Sequence, residues 1–307
     1  MTKAYMIPNA NEVHHYTDTG GLIGIIENGV LWATNIQFLN DSLEYEFGLQ
    51  KMETSLRQAL NRLHDSDSST PHTPELESAT ESAIAILQGM GANTKDGQFV
   101  CCLSRLPDDL SQWRGYAREG YCITFDEQHL TDSAKRLQRV ENSIKTGTVA
   151  YDGYFDWQQA DHTDFVLSSM HRALHDESIK PEDFGIRPNH PEFGAIAREN
   201  NRSALAVLVC VTQIYELIPF IKSAGFADEQ EMRIRVSYPE SIKFRTSRIG
   251  PLPYAEVPFD LNAIKSITVG PGLNIELRKA TLEYLLTHKF GTDHKIEIKE
   301  TGLSFRG

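Results

Sequence analysis

The sequence predicts an α+β fold. Short stretches in which polar and apolar residues alternate occur in the first and last thirds of the chain, a mostly helical block lies between them, and no internal repeat is present. The chain has 307 residues, of which 40% are hydrophobic and 23% charged. That is the composition of a folded globular protein. No linker cuts the chain, so residues 1–307 read as a single domain with helical elaborations at about 43–90 and 158–222.

Each element has a local reason. A strand is expected at 13–17, and GGLIGIIENGVLWATN then gives a short helix closed by Gly29 and a strand over 30–33. After the loop FLNDSLEYEFG, residues Leu43, Phe47, Met52, Leu56, Leu60 and Leu63 recur every three to five positions, which makes 43–64 an amphipathic helix. The Ser/Thr/Pro-rich stretch 66–74 breaks it, and a second helix follows at about 75–87. Next come a strand FVCCLS (99–104), a helix DDLSQWRGYARE (108–119), a strand YCITFD (121–126) and a further strand at 145–151. The helical region 158–222 contains the apolar run SALAVLVCVTQIY (203–215). This run is shorter than the roughly 20 residues of a membrane span and reads as a buried helix. The last third returns to β structure with EQEMRIRV, AEVPFD, SITVGP (266–271), a helix at about 274–288 and a final strand KIEIKE.

Charge narrows the classes of partner. A net charge of -12, from 42 acidic and 30 basic residues, argues against broad binding to nucleic acid or anionic membrane, which needs clustered Lys and Arg. A nucleic-acid acceptor at a small local cleft is still allowed. MTKAYMIPNANEVHHY has no apolar signal core, so the expected location is the cytoplasm. Cys101, Cys102, Cys122 and Cys210 lack CxxC spacing and sit among apolar residues, the pattern of reduced structural thiols.

No Walker-type loop, GxGxxG, HExxH, GxSxG or EF-hand loop is present, which disfavours P-loop ATPases, Rossmann oxidoreductases, zincins and α/β-hydrolases. The stretch FADEQEMRIRV (226–236), read as a strand, puts Glu229, Glu231, Arg233 and Arg235 on one face and Gln230, Met232, Ile234 and Val236 on the other. Taken alone, that charged face is the wet side of a half-buried strand. In LSQWRGYAREGY, Trp113 and Tyr116 share one helix face and Arg114 and Arg118 another. The aromatics could anchor the helix or stack on a planar cation, and the arginines could face solvent or a phosphate. His171 and His175, one helical turn apart, have metal-ligand spacing without an identified third ligand. Asp293, Glu297 and Lys299 faintly match a metal-dependent nuclease pattern, which an edge strand explains equally well.

The ordered set HYT (15–17), FLNDSLE (38–44), CLS with QWRGYA and GYCITFD (102–126), Lys222 with DEQEMRI (228–234), ITVGP (267–271) and LSFR (303–306) resembles a bacterial family known as domain of unknown function two-nine-seven-one. The resemblance spans nearly the whole chain. Asp-Ser stands at 41–42 where that family has Asp-Pro, and Met232 stands where it has Trp. A more distant resemblance is to ADP-ribosyltransferases, which use a His, Tyr or Ser, and Glu constellation and often an ExE pair, here Glu229-Gln230-Glu231. That resemblance implies an ADP-ribosyltransferase-like mixed β-sheet core with flanking helices and an inserted helical region. It implies NAD as substrate, with ADP-ribose passing to a nucleic-acid or protein acceptor, or to water, in a toxin, defence or regulatory setting. Under it, Glu231 stabilises the oxocarbenium-like state, Glu229 serves the acceptor and Arg233 keeps Glu231 ionised or reaches phosphate. His15, with Thr17 beside it, hydrogen-bonds a ribose hydroxyl, and Ser104 positions the ribose or the carboxylate. Trp113 or Tyr116 stacks on nicotinamide, and Arg105, Arg114 or Lys222 meets the pyrophosphate. The rival expectations are a metal-dependent nuclease or hydrolase using Asp41, Glu44, Glu229 and Glu231, and a non-catalytic sensor whose charged strand is solvated.

Overall fold

The computed structural model describes residues 11–39, 43–64, 70–90, 97–137, 144–151, 156–184, 186, 201–237, 239–247 and 249–303. Asp41, the first part of the Ser/Thr/Pro-rich stretch and the closing LSFR beyond Leu303 lie outside them. The chain divides into two compact units. One is formed by Met1–Asn35, Gly97–Val149 and Phe226–Gly307, the other by Ile36–Asp96 and Ala150–Gly225.

The strands, in chain order, are β1 Glu12–Thr17, β2 Val30–Asn35, β3 Gln98–Ser104, β4 Tyr121–Asp126, β5 Ile144–Thr148, β6 Ala150–Tyr151, β7 Ile221–Lys222, β8 Glu231–Ser237, β9 Lys243–Ser247, β10 Gly250–Pro258, β11 Ile264–Val269 and β12 Glu297–Glu300. The helices are α1 Thr19–Asn28, α2 Glu44–His64, α3 Pro74–Met90, α4 Leu110–Gln112, α5 Glu127–Leu137, α6 Asp156–His175, α7 Arg202–Leu217 and α8 Ile275–Phe290. The fold is mixed α+β with a mixed sheet, as the sequence predicts at that level.

In the first unit, strands run in the order β12-β11-β4-β1-β3-β2-β10-β9, with β8 on β3 and β5 on β8. All pairings are antiparallel except β11 with β12. The branch at β3 organises the unit. β8 follows one whole edge of β3, from Gln98↔Ser237 to Ser104↔Glu231. The other edge is shared by β1, at His14↔Ser104, and β2, at Thr34↔Val100 and Asn35↔Phe99.

One face of this sheet is a continuous apolar core. Val13, Cys101, Leu103, Ile123, Phe125, Met232, Ile234, Val236, Ile267 and Val269 pack against Leu22, Ile25 and Ile26 of α1, Leu130 and Ala134 of α5, and Leu282 and Leu286 of α8. Each such aliphatic side chain contributes about 1.5–3 kcal/mol of burial free energy. The helix α1 forms where expected: Asp18 accepts a hydrogen bond from the Gly21 N–H (2.7 Å), and Gly29, at φ 64°, returns its N–H to Ile25. That left-handed position favours glycine.

The second unit is helical, with β6 and β7 forming a short parallel pair. Met52 and Leu56 of α2, Leu76 and Ile84 of α3, Leu167 and Met170 of α6, and Val209 and Ile214 of α7 build its core. The segment Arg202–Phe220 has a mean hydropathy of 1.7 and is long and apolar enough to cross a membrane by length and composition, but most of it is buried inside the protein. It is the buried helix read from the apolar run.

Four local expectations need correction. The helix over 108–119 is only α4 followed by a π-helical turn, Trp113–Ala117, stopped by Arg118 at φ 54°. The helix α5 is an addition to the elements read from the sequence, since EQHLTDSAKRL carries only a narrow apolar stripe, with Leu130 and Ala134 buried. The strand β9, KFRTS, is polar and mostly exposed and gives no apolar alternation. Finally, Glu229 is not on the strand: Ala224–Glu229 is a 3-10 helix, Gln230 takes φ 41°, and β8 begins at Glu231.

Candidate functional site

The charged face of β8 is not wet. Glu231, Arg233 and Arg235 are 4%, 1% and 0% exposed. Burying such charges is unfavourable unless they are paired and hydrogen-bonded. Arg233 therefore holds Glu231 with a two-pronged contact, Nε to Oε1 at 2.7 Å and Nη2 to Oε2 at 2.8 Å. The expectation of a solvated strand face is overturned, since both faces of β8 are buried.

Antiparallel register carries this face across the sheet. Glu231 lies opposite Ser104, Ser104 opposite His14, His14 opposite Thr124 and Thr124 opposite Ser266. Directly opposed residues share a face, so these five form one polar row over β8, β3, β1, β4 and β11. The row is tied to the turn before β8. The Ser104 hydroxyl donates to the Glu229 carbonyl (2.8 Å) and accepts from the Leu106 N–H (3.1 Å), while the Arg105 N–H donates to the Gln230 carbonyl (2.9 Å). The Val149 N–H reaches the Glu231 carbonyl at 2.9 Å. These bonds hold the backbone of Glu229, the left-handed Gln230 and Glu231 in place.

Tyr116 completes the cluster. It is 44% exposed, and its hydroxyl donates to Glu229 Oε1 at 3.0 Å. Burial first, and the Glu229 carboxylate second, hold this phenol above its ordinary pKa, so it remains a donor.

Sequence-predicted residues thus separate into two sets. Glu229, Glu231, Arg233, Ser104 and Tyr116 come together. Arg105 adjoins them through its backbone, but its guanidinium forks onto Glu127, with Nη2 to Oε1 at 2.7 Å. Trp113 does not share the face of Tyr116. It is fully buried, packs edge-on against Tyr16 with ring centroids 4.9 Å apart and donates Nε1–H to Asp108 (2.8 Å). The π-helical turn separates the two rings, which leaves Tyr116 as the aromatic that a ligand could meet.

His15 is opposite Ile123, hence on the core side of the register, and Thr17 is opposite Tyr121. Nδ1 of His15 lies 3.2 Å from the Cys102 carbonyl, at the place where β1 and β3 cease to pair. Its imidazole substitutes there for a ladder bond. Burial lowers its pKa, Arg245 lowers it further, and the neutral ring donates Nδ1–H to that carbonyl. The histidine in the row with Glu231 is instead His14, whose Nδ1 is 3.1 Å from Thr124 Oγ1 and whose pKa is lowered to about 4, mainly by burial. The parity of the β1–β4 pairing decides between the two, and HH within HHY carries no signal of it.

Lys222 belongs to the second unit, where it is buried beside Glu44 with Nζ 3.7 Å from Oε2. The rings of His171 and His175 are 4.5 Å apart. Among the described residues no group of three or more His, Cys, Asp or Glu side chains is placed to hold a metal ion. Lys299 pairs with Glu297 at 3.2 Å on the exposed strand β12. Cys101, Cys122 and Cys210 are buried free thiols and Cys102 is half-buried.

Fold and site together define a mixed α+β protein with a buried carboxylate–guanidinium pair next to a half-exposed carboxylate and tyrosine. Residues 112–234 match the model of the family described as Protein of unknown function (DUF2971). The match takes in QWRGYA, GYCITFD and EQEMRI, and leaves HYT, FLNDSLE and ITVGP outside it. No curated protein and no solved structure gives a significant match to the chain.

Proposed function

We propose that the first unit carries an ADP-ribosyltransferase-like site that cleaves NAD+ at its nicotinamide–ribose bond. One observation carries this reading: the early histidine strand, the serine strand and the late glutamate strand are neighbours in the order β1-β3-β8, with His14, Ser104 and Glu231 in register and Tyr116 on Glu229.

The chemistry divides between the two carboxylates. In the proposed reaction the glycosidic C–N bond breaks and nicotinamide leaves with the electron pair. Positive charge then grows on the ribose. A fixed carboxylate stabilises that charge without having to reorganise, and Glu231, clamped by Arg233, is fixed. Glu229 is half-buried and next to Tyr116, so it takes the proton from the acceptor hydroxyl or water as that oxygen bonds to the anomeric carbon. In this reading Tyr116 stacks on nicotinamide, whose ring is cationic until cleavage. The acceptor is a macromolecule, nucleic acid or protein, or water.

The test is calorimetric titration with NAD+ followed by a nicotinamide-release assay on wild type, Glu231→Gln and Glu229→Gln. Binding retained in both variants, with release lost in Glu231→Gln, supports the reading. An absence of NAD+ binding by the wild type, together with no release, refutes it.

A further inference from the structure

We propose that Arg245, with Trp32, Thr34 and Tyr254, forms a binding site for the phosphate groups of a nucleotide-like ligand. Register places Thr34 opposite Tyr254 and Leu252 opposite Arg245, so these side chains lie on one face of β2, β10 and β9. The Arg245 guanidinium carbon sits 5.6 Å from the Trp32 ring centroid, and the Trp32 and Tyr254 rings lie 4.7 Å apart, tilted by 37°. Nη2 of Arg245 donates to Thr34 Oγ1 at 3.1 Å.

Its remaining donors are the notable part. The Nε–H of Arg245 is buried without a hydrogen-bond partner, and the guanidinium makes no ion pair with a carboxylate of a described residue. A buried donor of a charged group left in this state is unfavourable. A guanidinium stacked on an indole presents its N–H fork in its own plane, the geometry that matches two oxygens of a phosphate. Charges nearby agree with an anion. His15 feels Arg245 as a like charge, and Asp18, a carboxylate whose charge acts on Arg245, is engaged in capping α1. Lys243, opposite Tyr254, is paired with Glu256 at 2.8 Å. Among the described residues, Arg245 is thus a cation of this patch without a carboxylate on it. The aromatic pair beside it suits a ligand that carries a planar ring as well as phosphate.

The experiment uses the full chain and follows tryptophan fluorescence and calorimetry during titration with ADP, inorganic pyrophosphate and adenosine. ADP is expected to bind and to change the fluorescence, pyrophosphate to bind more weakly, and adenosine to bind at least ten-fold more weakly than ADP. Arg245→Gln should weaken ADP at least ten-fold. Arg245→Lys, which keeps the charge and loses the fork, should recover only part of the affinity, and Trp32→Phe should remove the fluorescence change. Equal binding of ADP by wild type and a folded Arg245→Gln or Arg245→Lys overturns the proposal, as does equal affinity for adenosine and ADP. This readout does not depend on NAD+ cleavage, so it stands or falls apart from the catalytic proposal.

Discussion

At the scale of single residues, the pair Glu231–Arg233 is the feature that alternation of charge conceals. Two carboxylates and two arginines spaced by two have the pattern of a solvated face, because period alone does not report what covers a strand. In the folded protein both members are at most 4% exposed and satisfy each other. Removing one partner leaves an uncompensated buried charge. Arg233→Met is therefore expected to lower unfolding stability by about 3–5 kcal/mol, and the double variant Glu231→Leu/Arg233→Met by much less. Urea unfolding of the single and double variants measures this directly, and an additive double variant would contradict it. The same blindness to partners applies to the histidines: HHY does not distinguish His15 from His14, and the register gives the row position to His14.

At the scale of elements, most strands and α1 were legible, since Gly29, Asp18 and the apolar alternation act locally. The segment 108–119 was not. Asp109 caps α4 through Ser111 and Gln112, yet the backbone then widens into a π turn that buries Trp113 and turns Tyr116 outward. Such turns are rare and often mark functional sites. The start of β8 was also misjudged, because the left-handed Gln230 is fixed by Arg105 and Ser104, more than a hundred residues away. Trp113 locks the turn in place by filling the space next to Gly270. A Cβ there would come within 2.6 Å of the indole and 2.8 Å of the Gly120 carbonyl. Gly270→Ala is expected to cost about 1–3 kcal/mol through overpacking and to shift the near-ultraviolet circular dichroism of Trp113; an unchanged stability would contradict the packing.

At the scale of the whole molecule, mixed α+β architecture was readable from composition and periodicity, while the branching of the sheet at β3 was not. Branching depends on β1 and β2 meeting the same edge of one strand, a choice made by pairing over long sequence distances. Stability should vary with pH through the buried histidines. His14 titrates at about 4 in the folded protein and His15 also below its ordinary value of 6.5. The unfolded chain therefore binds more protons than the folded one below about pH 6.5. Their contribution is complete above that pH and is lost as pH falls towards 4, with a slope of up to about 1.4 kcal/mol per pH unit for each histidine. Chemical unfolding between pH 7 and 5 should show the decline, and His14→Asn should reduce its slope; a flat profile would contradict buried neutral histidines.

The proposed activity rests on Glu231 as a fixed carboxylate and Glu229 as the reachable one. Its most direct test is nicotinamide release from labelled NAD+ by wild type, Glu231→Gln and Glu229→Gln, each corrected for its folded fraction. The expected result is release by the wild type, a fall of at least a hundred-fold in Glu231→Gln, and a smaller fall in Glu229→Gln when water is the acceptor. Release by folded Glu231→Gln at the wild-type rate would contradict the account.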